Sequence, residues 1–144
     1  MSNKLSDNLG IVAVVSPLLR DDATGTSTWA GMAKHGKIMF VCAVGATDTT
    51  VDVKLQEATD SSGTGAADIS GKAVTQLGAT DDNKQVIIEV DASELSDGFD
   101  YVACLVTSGN GTLGADTCVI AISGDSRYKP ASGYDLATVA QIVS

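Results

Sequence analysis

The chain has 144 residues, of which 44% are hydrophobic, so it fits one folded domain and is too apolar for a disordered tail. Eighteen acidic residues against nine lysines and arginines give a formal net charge of -9, which excludes the basic footprint that nucleic-acid binding requires. Aromatic residues make up only 4%, so we expect a core of Val, Ile, Leu and Ala.

The apolar runs have the length of strands rather than of membrane spans. The longest are Ile11–Val15 and Ile38–Val44, whereas a helix that crosses a bilayer needs about 20 apolar residues. The polar start, Met1–Asp7, lacks the layout of a signal peptide, so we expect synthesis in the cytoplasm. The three cysteines lie far apart in apolar runs, which favours buried free thiols: Cys42, Cys104 and Cys118.

The first half of the chain begins with three apolar segments. Ile11–Ser16 is a β-branched strand that Pro17 ends, and Ser27–Ala30 predicts a short strand with Trp29 pointing inward. Lys37–Val44 is continuously apolar, which predicts a central strand covered on both faces.

The middle of the chain alternates between strands and loops. Thr50–Ala58 alternates apolar and polar residues, which predicts a strand with one wet face. Thr59–Gly65 is a loop by composition, and a helical turn is expected near Ala66–Ile69. Lys72–Leu77 predicts a further strand, and Gly78–Asn83 a turn.

The second half predicts three more strands. Gln85–Val90 is the first of them, and Asp91–Leu95 follows as one capped helical turn. Tyr101–Thr107 and Thr117–Ser123 are the other two, and the Gly-rich linker Ser108–Asp116 predicts that they form a hairpin.

These elements predict an all-β, single-domain β-sandwich or jelly-roll-like barrel of seven to eight short strands, with a short C-terminal helix. We expect a flexible N-terminal arm over residues 1–9, the β-sandwich domain over residues 10–124, and a tail over residues 125–144. Within that tail, Tyr134–Val143 has apolar residues at helical spacing, which predicts a short helix packed on the domain. The pattern leaves open whether the sandwich is a jelly roll or immunoglobulin-like.

Two short motifs resemble catalytic or cofactor-binding signatures. Gly109–Gly114 matches the dinucleotide fingerprint GxGxxG, but a strand is predicted after it, where the fingerprint requires a helix. Gly124–Ser126 resembles a serine-hydrolase nucleophile motif, but Arg127 stands where that signature needs Gly or Leu. A triad also needs a histidine base, and the only histidine, His35, lies in a predicted polar turn. We therefore expect no enzyme activity and no cofactor.

Metal-binding patterns are equally weak. Zinc sites use closely spaced Cys/His pairs, and the sequence has none. Four aspartates lie in predicted loops, without the spacing of a calcium-binding loop: Asp60, Asp81, Asp82 and Asp97. We therefore expect no metal site.

Four stretches of the chain share a pattern of strands and turns with a known group of proteins. They are Trp29–Val41, Val51–Ala73, Asp82–Val90 with Leu95 and Gly98–Val102, and Asp125–Ala131 with Asp135–Val143. In these stretches the chain resembles small virion proteins of tailed bacteriophages and prophages, which are assigned to the head and decorate or cement the capsid.

The resemblance implies a structural role without catalytic residues. The expected partner is the major capsid protein, bound on the outer surface of the virion, where an acidic chain is better suited than in the DNA-filled interior. Self-association to a homotrimer would match a threefold position of the shell. The alternative function is a glycan-binding or fibre-associated β-sandwich module of a phage head or tail, which would need an aromatic platform on one exposed face.

Two segments are candidate partner-binding sites. The first is the polar N-terminal arm, Met1–Leu9, which lacks a strand pattern and can order on binding. The second is an Arg and Tyr pair of the kind enriched at interfaces. The candidate residues are Ser2, Asn3, Lys4, Leu5, Arg127 and Tyr128. The alternative for the arm is plain disorder. The alternative for Arg127 and Tyr128 is that they pack the C-terminal helix against the sheet.

Overall fold

Nine β-strands make up most of the computed structural model, which describes residues 4–124 and 136–143. The strands are β1 (Gly10–Arg20), β2 (Thr24–Thr26), β3 (Ala30–Gly31), β4 (Lys37–Thr47), β5 (Val51–Ala58), β6 (Ala67–Ala73), β7 (Gln85–Asp91), β8 (Tyr101–Ser108) and β9 (Ala115–Ser123). The helical elements are the α-helical turn α1 (Leu5–Asn8) and the 3-10 turns Ala92–Glu94 and Leu136–Thr138.

The strands form two antiparallel sheets that pack face to face. The four-stranded sheet has the order β1-β9-β4-β7, and we call it the front sheet. The other sheet, the back sheet, has the order β2-β8-β5-β6, with the two-residue β3 also paired to β8. With β3 set aside, the eight remaining strands have the order of a jelly roll. The predicted all-β sandwich is confirmed, and its topology is the jelly roll.

The core lies between the two sheets and consists mainly of β-branched residues. In β5, Val51, Val53 and Leu55 are buried and Asp52 is exposed, as the alternation predicts. The largest fully buried side chain is Phe40. Each buried Val, Leu or Phe contributes about 1.5–3 kcal/mol, so a core with few aromatic residues depends on many such side chains.

The predicted hairpin of the last two strands is wrong. β8 pairs with β5 in the back sheet, whereas β9 pairs with β1 and β4 in the front sheet. The linker Gly109–Gly114 therefore crosses from one sheet to the other. Both strands alternate in the same way whichever sheet they join, so local pattern does not distinguish a hairpin from a crossing.

The first strand does not end at Pro17. β1 continues to Arg20 through an irregularity in register between Val15 and Leu18. It is an edge strand of the front sheet, with only β9 beside it, and a proline without an N–H group is tolerated at an edge.

Two other local predictions are also wrong. Residues 27–29 lie between β2 and β3 rather than in a strand, and Ser27 Oγ accepts the backbone N–H of Cys104 at 2.9 Å. Trp29 is half-buried, with its indole over Gly63. Ala66–Ile69 is not a helical turn, because Ala67 begins β6 and that strand pairs with β5. These differences arise from pairing with strands distant in sequence, which overrides weak local preference.

The predicted capped turn after β7 is confirmed. The carboxylate of Asp91 accepts the backbone N–H of Ser93 at 2.9 Å, and Glu94 Oε2 accepts that of Asp91 at 2.8 Å. These two reciprocal bonds form a capping box. The backbone N–H and the hydroxyl of Ser93, which both donate to the carboxylate of Asp91, hold its pKa below the usual value.

The helical segments near the chain ends are short. α1 is a single turn within the predicted arm, so residues 5–8 have regular structure. At the other end, Leu136–Thr138 form one 3-10 turn and residues 139–143 are irregular. The C-terminal helix is thus shorter than its apolar spacing predicts, and Tyr134 lies outside the described residues.

Free thiols occupy both the core and the solvent-facing side of the front sheet. Cys42 and Cys104 are buried, as predicted, and burial raises their pKa values to about 11 and about 12. Cys118 is only half-buried, because its side chain points away from the core.

The single histidine is part of the interior rather than of a polar turn. His35 is 2% exposed, and its Nδ1 lies 2.9 Å from Oγ of the fully buried Ser123. This contact joins the segment before β4 to the end of β9. Burial, together with the nearby charge of Lys34, lowers the pKa of His35.

The lowered pKa of His35 predicts a loss of stability in mild acid. Below pH of about 6.5 the unfolded state binds a proton that the folded state does not, so the free energy of unfolding falls until the lowered folded pKa is reached. His35→Gln, which does not titrate, should lose this part of the pH dependence. Urea unfolding of both proteins between pH 5 and pH 8 measures it, and equal slopes in the two proteins would contradict the prediction.

Candidate functional site

A row of apolar side chains crosses the solvent-facing side of the front sheet. Val14 on β1 is paired with Ile120 on β9, Ile120 with Val41 on β4, and Val41 with Ile87 on β7. Residues directly opposite one another in an antiparallel pair point to the same side. The four side chains therefore stand next to each other, on the side away from the core.

The rows on either side extend this apolar surface. The first contains Ile11, Ile122 and Met39 and ends at Glu89, and the second contains Cys118 and Ala43 and ends at Gln85. We call the apolar members of the three rows the front face: Ile11, Val14, Met39, Val41, Ala43, Ile87, Cys118, Ile120 and Ile122. Each is half-buried or exposed, and the exposed fractions of Ile87 and Ile120 reach 60% and 41%.

The front face is large enough to be a binding surface. Strands about 4.8 Å apart and rows about 6.7 Å apart give each position about 32 Å², so the nine apolar positions span about 300 Å². Exposed apolar patches of about 300–600 Å² on a monomer are often functional.

The outer side of the back sheet has the opposite character. Lys54 Nζ lies 3.0 Å from a carboxylate oxygen of Asp68, which also accepts a bond of 2.7 Å from Gln56 Nε2. Gln76 donates to the carboxylate of Asp52, and Thr107 is paired with Asp52 in register. An antiparallel sheet commonly has one wet polar face, so the front sheet is the exception in this protein.

The front face was not predicted from the sequence, although the signal was present. The continuously apolar run Lys37–Val44 predicts a strand covered on both faces. One side of β4 is indeed buried, at Ile38, Phe40, Cys42 and Val44, but the other side faces solvent and is half-buried at most positions. Within a single chain, a strand that is apolar on both sides indicates either a central layer or a binding face.

A shallow groove lies at each end of the front face. One, of about 660 Å³, is lined by Leu9, Met39 and Ile122 together with charged residues such as Lys37 and Glu89. The other, of about 580 Å³, is lined by residues of β1, β4 and β9, by Asn83 and by the first residue of β7: Pro17, Leu18, Leu19, Ala43, Val44, Gly45, Asn83, Gln85, Asp116, Thr117 and Cys118. The apolar surface therefore continues into both grooves.

The predicted partner-binding residues are only partly placed by the structure. Lys4 and Leu5 are exposed at the start of α1. The arm reaches the front face through Leu9, which lines the first groove. Ser2, Asn3, Arg127 and Tyr128 lie outside the described residues, so their part in binding stays a prediction.

The two motifs that resemble chemical signatures are accounted for by turns and packing. Gly109–Gly114 leads into β9 and not into a helix, so it lacks the helix N-terminus that a dinucleotide pyrophosphate requires. Ser126 lies outside the described residues, and His35 contacts Ser123 inside the core instead. Within residues 4–124 and 136–143, no three His, Cys, Asp or Glu side chains lie close enough to share a metal ion. No helix in those ranges is long and apolar enough to cross a membrane.

Aromatic side chains of the described residues are buried or half-buried. Phe40 is buried, and Trp29, Phe99 and Tyr101 are half-buried. Trp29 covers Gly63, and the ring of Tyr101 lies over Gly31. Within residues 4–124 and 136–143, therefore, none of the aromatic rings is fully exposed.

Neighbouring isoleucines of β7 test the orientation of the front face. Ile87→Lys should lower the free energy of unfolding by less than about 1 kcal/mol, because the new charge stays in water. Ile88→Lys should cost at least about 3 kcal/mol, because Ile88 is 8% exposed and an unpaired charge would be buried. Chemical denaturation of both variants measures the difference, and equal losses would show that the face is assigned wrongly.

Comparisons with known proteins identify no family. No family model matches the chain, and no curated protein matches it. Among solved structures, it is similar to a subunit of the Cowpea Mosaic Virus empty virus-like particle, at 13% identity and a TM-score of 0.43, over 93% of this chain and 88% of that chain. It is also similar to a chain of Broad Bean Stain Virus, at 12% identity and a TM-score of 0.42, over 99% of this chain and 96% of that chain. A third similar structure is the N-terminal cellulose-binding domain of Cellulomonas fimi β-1,4-glucanase C, at 13% identity and a TM-score of 0.41. The similarity covers 83% of this chain and 81% of that chain. Nothing about function follows from likenesses this weak.

Proposed function

We propose that the protein is a structural virion protein that decorates and stabilises a phage capsid by binding the outer surface of major capsid subunits. The observation that carries the proposal is the apolar front face, which crosses all four strands of one sheet while the other sheet is polar. Four stretches of the sequence resemble phage head proteins, and this resemblance is the reason to propose the capsid shell as the partner.

Charge supports the outer surface of the shell as the location. The chain has a formal net charge of -9. Packed DNA inside a head repels such a chain, whereas a position outside the shell avoids that repulsion.

The size of the front face suggests how firmly one copy binds. Burial of about 300 Å² of apolar surface is worth about 7 kcal/mol at 25 cal/mol per Å². Association costs about 4–15 kcal/mol, and stable interfaces bury about 800 Å² on each partner. The front face alone therefore gives weak attachment, and a stable decoration needs further contacts or several linked copies.

A homotrimer would supply linked copies. Three front faces bound at one threefold position act together, because the second and third binding events become intramolecular. The symmetry of the oligomer would then match the local symmetry of the shell.

Binding to mature shells tests the proposal. Ile120→Lys places a charge in the middle of the front face and should lower affinity at least about tenfold, because the lysine would be desolvated on docking. The matched control is Thr107→Lys, which adds the same side chain to a central strand of the back sheet and should bind like the unchanged protein. Cosedimentation with purified shells and the heat resistance of decorated shells are the measurements.

Cys118 provides a second readout without any substitution in the face. A thiol reagent at neutral pH should modify Cys118 in the free protein, and bound shells should protect it. Failure of the unchanged protein to bind shells, or equal binding by Ile120→Lys and Thr107→Lys, would overturn the proposal.

A further inference from the structure

The second half of the loop between β8 and β9, Gly109–Gly114, is held by one carboxylate. Asp48, in the turn between β4 and β5, accepts the backbone N–H groups of Thr112, Leu113 and Gly114 at 2.8–2.9 Å. The N–H of Asp48 in turn donates to the carbonyl of Gly114 at 3.2 Å. Three consecutive N–H groups bound to one side chain leave this part of the loop little freedom to move.

The first half of this loop is bonded just as fully, and we call the whole segment Gly109–Gly114 the crossing loop. Asp21 Oδ1 accepts the N–H of Gly111 at 2.8 Å, and Thr49 Oγ1 donates to the carbonyl of Asn110 at 3.1 Å. The N–H of Gly109 donates to the carbonyl of Thr50 at 2.9 Å. The crossing loop is thus tied to the two turns beside it along its whole length.

The conformation of the crossing loop requires a glycine at position 114. Its φ is +79°, and a Cβ atom there would lie 2.5 Å from the carbonyl oxygen of Arg20. Only glycine fits a position with both a left-handed backbone and so close a neighbour.

This rigid loop holds a leucine out in water. Leu113 is 71% exposed, which is the largest exposure of any large apolar side chain between β1 and β9. Leu18 and Leu19, at 61% and 56%, are also exposed, on the part of β1 that pairs with the start of β9. Leu18 and Leu19 line the second groove of the front face, so these two leucines continue the proposed binding surface toward the loop.

The charges at this end of the sandwich are almost all negative. Four exposed aspartates lie in or next to the crossing loop and the turns that hold it: Asp21, Asp22, Asp48 and Asp116. Arg20 is 7% exposed, and its guanidinium donates to the carbonyl and hydroxyl of Thr117 and to backbone carbonyls of β1. No exposed cation offsets the four carboxylates within residues 20–22, 48 and 109–116.

We propose that Leu113 is a preformed anchor, which inserts into an apolar pocket of the shell subunit whose rim carries Lys or Arg side chains. This proposal rests on the proposed function, and it identifies a contact beyond the front face. A leucine whose backbone is already held in place loses little backbone entropy on binding. The acidic surroundings of Leu113 are complementary to a basic rim and unfavourable to a second copy of this acidic chain.

Variants in the crossing loop separate the side chain from its support. Leu113→Ala should lower affinity for shells at least about tenfold, as removal of a central anchor does, with unchanged melting temperature. Asp48→Asn keeps the leucine but removes the charge that holds the loop, and should weaken binding by a smaller factor. In the double variant the two losses should not add, because both act through the same contact.

The controls lie in the same loop. Thr112→Ala changes an exposed neighbour whose N–H still bonds to Asp48, and should bind normally. Leu113→Met should keep affinity within about threefold, because it conserves apolar volume. Added salt should weaken binding of the unchanged protein, as expected for a charged rim.

The outcomes distinguish this anchor from the proposed function. If Leu113→Ala binds like the unchanged protein while Ile120→Lys does not, the anchor is wrong and the decoration function stands. If Leu113→Ala instead changes the oligomeric state of the free protein, the leucine contacts a second copy and the anchor is also wrong. Binding that is independent of salt would overturn the basic rim. If the unchanged protein does not bind shells, the proposed function fails and the anchor fails with it.

Discussion

The alternation of the chain between two facing sheets is the constraint on which the rest of the structure depends. Only β5 and β6, among consecutive strands of the described residues, hydrogen-bond to each other, and most other connections lead from one sheet to the other. Every strand except β6 therefore has at least one partner far away in the sequence. Because the sheets are held together by side chains between them, burial of small β-branched residues does the work that larger aromatic residues do in other cores.

The jelly-roll topology also explains the two kinds of surface. Each strand turns one side to the core, and the outer side is free to vary. In the back sheet that side contains a hydrogen-bonded network of Asp, Lys and Gln. In the front sheet it is apolar over three rows. Stability of the sandwich does not require an apolar outer side, since inward residues already supply the core, so this surface is the feature that most needs a functional explanation.

The crossing loop follows from the same topology. A connection between sheets passes over an end of the sandwich, where its backbone groups cannot join a ladder and need other partners. Asp48 and Asp21 supply them. A loop held in this way can keep an apolar side chain in water at a fixed position, and the exposed leucines of β1 lie near the same end.

Much of the fold follows from the sequence alone, because local alternation determines which residues form strands and which side of each strand is buried. The strand Thr50–Ala58, the capped turn after β7 and the buried thiols of Cys42 and Cys104 depend on such local or compositional patterns, and all were predicted. Tertiary structure decided what depends on distant partners: the separation of β8 and β9 into different sheets, the burial of His35 against Ser123, and the continuation of β1 past Pro17. It also decided that the apolar outer side of β4 faces solvent. A strand pattern specifies two sides, but only the arrangement of the sheets specifies what covers each of them.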